Sequence, residues 1–117
     1  RRRWIYKAIQ VAPNTNYTIS WYMRSKDANS GATVTAQIRN APFSDAALID
    51  TPGGTLIKSQ VYNAASGHDV DTFTQASISF NSGSSTEIVL FIFNDYTLNV
   101  TGGASESESF FDDFSIQ

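Results

Sequence analysis

The 117 residues carry 16% charged side chains and a formal net charge of −3, enough chain for one domain with a sizeable core. There is no cysteine, which excludes a disulfide framework and a zinc–thiolate site. Arg1, Arg2 and Arg3 are three of the eight basic residues, so the remainder is acidic, which argues against a nucleic-acid partner; no apolar run reaches membrane-spanning length.

Arg1–Tyr6 lacks the apolar segment of a signal peptide. The chain enters a strand-like run at once and reads as a piece of a longer protein that lacks its first strand or two. Trp4–Val11 alternates in the strand period, with Ile5, Lys7, Ile9 and Val11 on one side and Trp4, Tyr6, Ala8 and Gln10 on the other. Pro13-Asn14-Thr15-Asn16 is a turn, because proline presets one backbone angle and asparagine tolerates left-handed conformations. Tyr17–Arg24 follows as a strand, with Tyr17, Ile19, Trp21 and Met23 facing a core. Thr18, Ser20, Tyr22 and Arg24 face away from it.

Ser25–Ala32 is polar and turn-rich, a loop. Thr33–Asn40 alternates again, Val34, Ala36 and Ile38 against Thr35, Gln37 and Arg39. Ala41–Gly54 holds two prolines and a glycine pair, and reads equally as a short helix or an irregular excursion. Thr55–Tyr62 is a strand and Asn63–Asp71 a loop. Phe73–Phe80 is a strand with Ala76, Ile78 and Phe80 inward and Gln75, Ser77 and Ser79 outward. Asn81–Thr86 has hairpin-type composition. Glu87–Asn94 is apolar on both sides, as a central strand covered on both faces would be. Tyr96–Ser109 ends in a Ser/Gly/Glu-rich loop, mobile by composition, and Phe110–Ile116 closes the chain as a last strand. With no helical period and no internal repeat, about seven short strands predict one all-β domain over 1–117, an antiparallel two-sheet β-sandwich.

Catalytic chemistry is hard to assemble. Glycoside hydrolysis needs two carboxylates roughly 5–10 Å apart across one bond. Asp112 and Asp113 are adjacent in a strand and point to opposite faces, while Glu106 and Glu108 sit in the Ser-rich loop. His68 is the sole imidazole and reads first as a loop histidine, second as a rim contact or metal ligand. Gly53-Gly54 and Gly102-Gly103 lack the surroundings of a phosphate loop. An independent enzyme is not expected.

The pair Asp112-Asp113 inside FFDDFSI has two readings. If Phe114 and Ile116 point inward, Asp112 shares their face, and an inward carboxylate calls for a hard, oxygen-ligated cation such as Ca²⁺. Alternatively, Asp112 lies at the strand's frayed start and accepts backbone N–H bonds.

Three stretches, AIQVAPNTNYTISWYMR, FTQASISFNSGSSTEIVLFIF and FFDDFSI, cover about half the chain. In order and spacing they resemble the jelly-roll carbohydrate-binding modules found beside polysaccharide-degrading enzymes. The resemblance implies a two-sheet jelly roll, lacking its first strand here, that binds glycans without cleaving them. It also implies a structural calcium with Asp112 as ligand and Asp113 second. Such modules open with an Asn/Phe/Glu-containing strand that helps to form the same ion site, and the residues from Arg1 onward depart from that pattern.

Sugar binding in water needs flat rings for stacking, together with amides and charges that replace hydroxyl hydration. The face opposite the core collects Tyr6, Gln10, Tyr22, Arg24, Gln37, Arg39, Gln75 and Ser77. Tyr22 with Arg24 is the leading pair. Two arginines on an acidic domain point to a glycan carrying carboxylates, such as uronic acids. The expectation is a secreted or cell-surface binding module that attaches a neighbouring polysaccharide hydrolase or lyase to its glycan. The competing class is a structural or adhesive sandwich within a larger secreted protein; a catalytic fragment completed by residues elsewhere is a third. Two N-glycosylation sequons begin at Asn16 and Asn99.

Overall fold

Strands form wherever the two-residue alternation runs. The computed structural model describes residues 3–26, 31–40, 53–95 and 109–117. These build β1 (Arg3–Gln10), β2 (Asn16–Ser25), β3 (Thr33–Asn40), β4 (Leu56–Tyr62), β5 (Thr74–Asn81), β6 (Glu87–Asp95) and β7 (Ser109–Ile116), with one 3-10 turn at Ala64–Ser66. Every pairing is antiparallel. One sheet has the order β1–β6–β3–β4 and the other β5–β2–β7. The all-β, two-sheet sandwich is thus the fold. The expectations for most of Ala41–Gly54, for Tyr96, Glu106 and Glu108, and for the sequon at Asn99 lie outside the described residues.

The core is where the two inner faces meet. Ile19, Trp21 and Met23 of β2 and Ala76, Ile78 and Phe80 of β5 pack against Val34, Ala36 and Ile38 of β3 and Ile88, Leu90 and Ile92 of β6. The inward parities expected for β2, β3 and β5 hold, and in β6, where the sequence chose no side, Ile88, Leu90 and Ile92 face the core. β6 lies between β1 and β3, which explains why it is apolar on both sides. Its outward-facing Phe91 stands in register between Tyr6 and Gln37 and is only 1% exposed.

The Asn81–Thr86 connection is not a hairpin. β5 and β6 belong to different sheets, and both edges of β6 are already taken by β1 and β3. The turn therefore crosses from one sheet to the other, as the Pro13–Asn16 turn also does. The two crossings are tied at one end of the sandwich: the buried Ser82 hydroxyl donates to Ala12 O at 2.6 Å, and Ser82 N–H donates to Thr15 O at 2.9 Å. Small polar residues serve a hairpin and an inter-sheet turn equally well, so composition did not separate the two.

At the seam between β4 and β5 the sandwich is sealed by side chains. The Tyr62 hydroxyl donates to Ser77 O, and His68 Nε2 lies 3.0 Å from Gln75 O. A carbonyl only accepts, so Nε2 carries the proton; Nδ1 sits 3.0 Å from the Ser66 hydroxyl. These two donors cover alternate carbonyls of an edge strand that would otherwise invite pairing with another chain. His68 is thus a loop histidine with a structural task.

Burial pushes the Tyr62 phenol up to about 12. Because the folded state holds the proton more tightly, this contribution is complete below about pH 10, the ordinary tyrosine value, and is lost as pH rises towards 12. Tyr62→Phe is expected to cost about 1–2 kcal/mol at neutral pH, because the Ser77 carbonyl loses its donor. It should also flatten the decline between pH 10 and 12. Urea unfolding of both proteins across that range checks this; parallel declines would disprove the assignment.

β7 carries a bulge. Ser20 pairs with Ser115 and Tyr22 with Asp112, so Trp21 alone faces both Asp113 and Phe114. Asp113 takes the left-handed region at φ 53°, a conformation that aspartate tolerates better than most residues. The extra residue reverses the alternation: Phe114 and Ile116 face inward as expected, but Asp112 does not share their side.

Candidate functional site

The outer face of the three-stranded sheet gathers the leading pair. Tyr22, on β2, is flanked in register by Gln75 of β5 and Asp112 of β7, and its ring is 39% exposed. Two residues along, Arg24 pairs with Phe110 of β7. Its guanidinium carbon lies 4.4 Å from the centre of the Phe110 ring and 5.5 Å from that of Phe73. Arg24 Nη1 also donates to Asp71 Oδ1 at 2.7 Å. Phe73 and Phe110 are themselves exposed. The result is a patch of three accessible rings around one cation, edged by an amide and two carboxylates.

Phe73, Asp71 and Phe110 were not among the expected site residues. Asp71 sits in the loop before the strand, where alternation says nothing about direction, whereas the parity of Phe73–Phe80 puts Phe73 on the side of Gln75, a signal that could have found it. Phe110 carries no usable signal without the bulge, because the unbroken parity of FFDDFSI turns it inward. Arg24 also ties the loop at Asp71 and Phe73 to β2 and β7.

The remaining expected residues lie elsewhere. Tyr6 and Gln10 are on β1, and Gln37 and Arg39 on β3, all on the outer face of the four-stranded sheet. The sandwich core separates them from Tyr22, Arg24 and Gln75, so the single expected face is two faces. On that second face the polar groups bond to one another. Gln10 Nε2 donates to Glu87 Oε2 at 2.6 Å, and Arg39 Nε to Gln37 Oε1 at 2.8 Å, with Arg39 Nη1 3.4 Å from Gly54 O. Burial lowers the Arg39 pKa by desolvating its guanidinium. The two arginines cannot grip one carboxylate together, since they point away from opposite sides of the domain.

Asp112 points outward beside Tyr22, so it is not the inward carboxylate that would call for a cation. Asp112 and Asp113 are both exposed, and Asp112 Oδ1 accepts the Asp113 N–H at 2.9 Å. Ca²⁺ takes six to eight oxygen ligands, and no group of three or more potential metal-binding side chains occurs among the described residues. The residues present do not by themselves fit a calcium site. An ion held here would draw most of its ligands from outside the described residues.

Among the described residues His68 does not form a nucleophile–base–carboxylate arrangement. His68 bonds to the β5 edge and the Ser66 hydroxyl, and no carboxylate is within bonding distance of its ring. What the Tyr22 patch offers chemically is stacking area with polar groups at its margin. No protein-family model matches the chain, and neither does any curated protein.

Proposed function

We propose that the domain is a non-catalytic carbohydrate-binding module whose glycan lies across the outer face of the β5–β2–β7 sheet. The observation that carries this reading is the exposed ring of Tyr22, set between Gln75 and Asp112 and beside the Phe73–Arg24–Phe110 cluster. Sugars present C–H faces to aromatic rings and hydroxyls to amides and carboxylates, and this patch supplies both partners in one row. The sandwich architecture and the jelly-roll resemblance of the sequence point the same way. On this reading the domain works outside the cell beside a polysaccharide-degrading enzyme, as the resemblance implies.

Charge narrows the ligand. Asp71 already pairs with the guanidinium of Arg24 at 2.7 Å, and Asp112, opposite Tyr22, adds a second carboxylate to the same face. The patch therefore favours an uncharged glycan over a uronic one.

The test is gel retardation of the purified chain against soluble polysaccharides, neutral and uronic. Retardation by at least one neutral polymer is expected, with affinity reduced about tenfold in Tyr22→Ala, since one stacked ring contributes roughly 0.5–1.5 kcal/mol beyond its buried area. Tyr22 is exposed, so this variant should keep its melting temperature. The competing reading is a structural or adhesive sandwich, and it draws on the same cluster, whose contacts also fasten a loop to the sheet. No retardation by any polymer would remove the glycan reading and leave that one.

A further inference from the structure

Charge on the outer face of the β5–β2–β7 sheet is one-sided. Arg24 is the only cation that the three strands carry, and its guanidinium is committed to Asp71. Asp112 and Asp113 are both exposed, and neither has an ion pair among the described residues. Asp112 Oδ1 accepts the Asp113 N–H, which leaves Oδ2 without a partner among the described residues. The β7 bulge turns this carboxylate outward and into register with Tyr22.

Position matters as much as charge. Side chains opposite each other on neighbouring strands have Cβ atoms roughly 5 Å apart. The Asp112 carboxylate therefore stands at one margin of the Tyr22 ring, and the Gln75 amide at the other. A sugar ring lying on Tyr22 carries its substituents around its edge, where one meets Asp112 and another meets Gln75. A hydroxyl beside Asp112 donates one hydrogen bond. An ammonium has three donors and cancels the charge as well, and charge-assisted bonds are roughly twice as strong as neutral ones.

Resting on the glycan reading above, we propose that this site selects an amino sugar, within a polysaccharide that carries free amines. Its ring stacks on Tyr22, its ammonium pairs with Asp112, and a hydroxyl meets Gln75. The neighbouring cation does not oppose this, because the Arg24 guanidinium is neutralised by Asp71 and lies against the Phe110 ring. The row on the other side of Tyr22 is Ser20 between Ser77 and Ser115. These short hydroxyl side chains carry no charge and leave space for the sugars that follow along the chain.

The experiment titrates the full chain by calorimetry at mildly acidic pH, where the amines are charged. The probes are β-1,4-linked glucosamine oligosaccharides and the same oligosaccharides after N-acetylation. Salt at about 0.15 M screens exposed charges beyond about 8 Å. The free-amine form is expected to bind up to about fivefold more tightly than the acetylated one, the range of a partly exposed ion pair. Asp112→Asn keeps an oxygen for the Asp113 N–H and should bring the two forms level. Glu87→Gln removes the same charge from the outer face of the other sheet, where Glu87 bonds to Gln10, and should leave the preference intact. Tyr22→Ala should weaken both forms.

The proposal is overturned if the acetylated form binds as tightly as the free amine, or if Asp112→Asn keeps the preference. It is also overturned if Glu87→Gln erodes the preference equally, which would make it an effect of net charge. If neutral polysaccharides are retained on gels but the free-amine probe does not bind at millimolar concentration, the amino-sugar assignment falls and the glycan reading stands. If no carbohydrate binds at all, both fall.

Discussion

Trp21→Ala is expected to lower the unfolding free energy by about 3–5 kcal/mol, the usual cost of deleting a fully buried large aromatic side chain. Trp21 is 0% exposed and spans the core from seam to seam. It stacks on Phe114 of β7, ring centres 5.8 Å apart at 18°, and meets the edge of Tyr62 of β4 at 5.5 Å and 76°. Removing it leaves a cavity beneath the β7 bulge and withdraws packing from the tyrosine that seals the opposite seam. A domain of this length has about 5–15 kcal/mol of stability in all, so the loss is a large fraction of the whole. The melting temperature should fall by roughly 4 °C for each kcal/mol.

Trp21→Phe separates two opposed effects at the same position. It gives up some buried area, but it also removes an indole N–H that is buried without a hydrogen-bond partner. An unmet buried donor costs about 1–3 kcal/mol, which offsets most of the lost packing. Trp21→Phe is expected to stay within about 1.5 kcal/mol of the wild type. Urea unfolding of the three proteins tests both statements. A Phe variant as unstable as the Ala variant would mean that ring size, not packing contact alone, holds this part of the core.

How much of this was legible in the sequence follows from how far alternation reaches. Within β2, β3 and β5 every other residue is buried, so Trp21, Ile38 and Ile78 were assigned to the core by parity alone. The unbroken apolar run of β6 likewise announced its central place. Parity fails where one residue is inserted: at Asp113 it reversed the directions of Asp112 and Phe110, and with them the case for an inward carboxylate. Alternation also says which side of a strand a residue takes, but not to which sheet the strand belongs. Tyr6, Gln37 and Arg39 were therefore grouped with Tyr22 and Arg24, although the core stands between the two sets. Strand pairing is a long-range property, and only the fold reveals it.

Asp69→Ala carries the same lesson into a second prediction of large effect. Asp69 lies in a stretch read only as a loop, yet it is 2% exposed. Its Oδ1 accepts the buried hydroxyl of Ser25 at 2.9 Å, and its Oδ2 accepts the Gly31 N–H at 2.8 Å. Ser25 N–H in turn donates to Val70 O at 2.9 Å. One carboxylate thus binds the end of β2, the start of the run into β3 and the 69–73 loop to one another. Bonds to a charged acceptor contribute about 1.5–3 kcal/mol each, and losing this one strands the Ser25 hydroxyl, which is 2% exposed. Asp69→Ala is expected to cost about 2–4 kcal/mol. Asp69→Asn turns its oxygen to the Gly31 N–H and its amide N–H to the Ser25 hydroxyl oxygen, which accepts as well as donates, so it loses the charge assistance only and should cost about 1 kcal/mol. The consequence extends to the proposed glycan face, because Asp71 and Phe73 follow Asp69 directly and are the loop's contribution to the Arg24 cluster. Tyr22→Ala should weaken polysaccharide retardation with no change in stability. Asp69→Ala should weaken both, even at temperatures where the variant is fully folded. If urea unfolding places Asp69→Ala within 1 kcal/mol of the wild type, the loop does not depend on this carboxylate, and the geometry at Arg24 must be held by β2 and β7 alone.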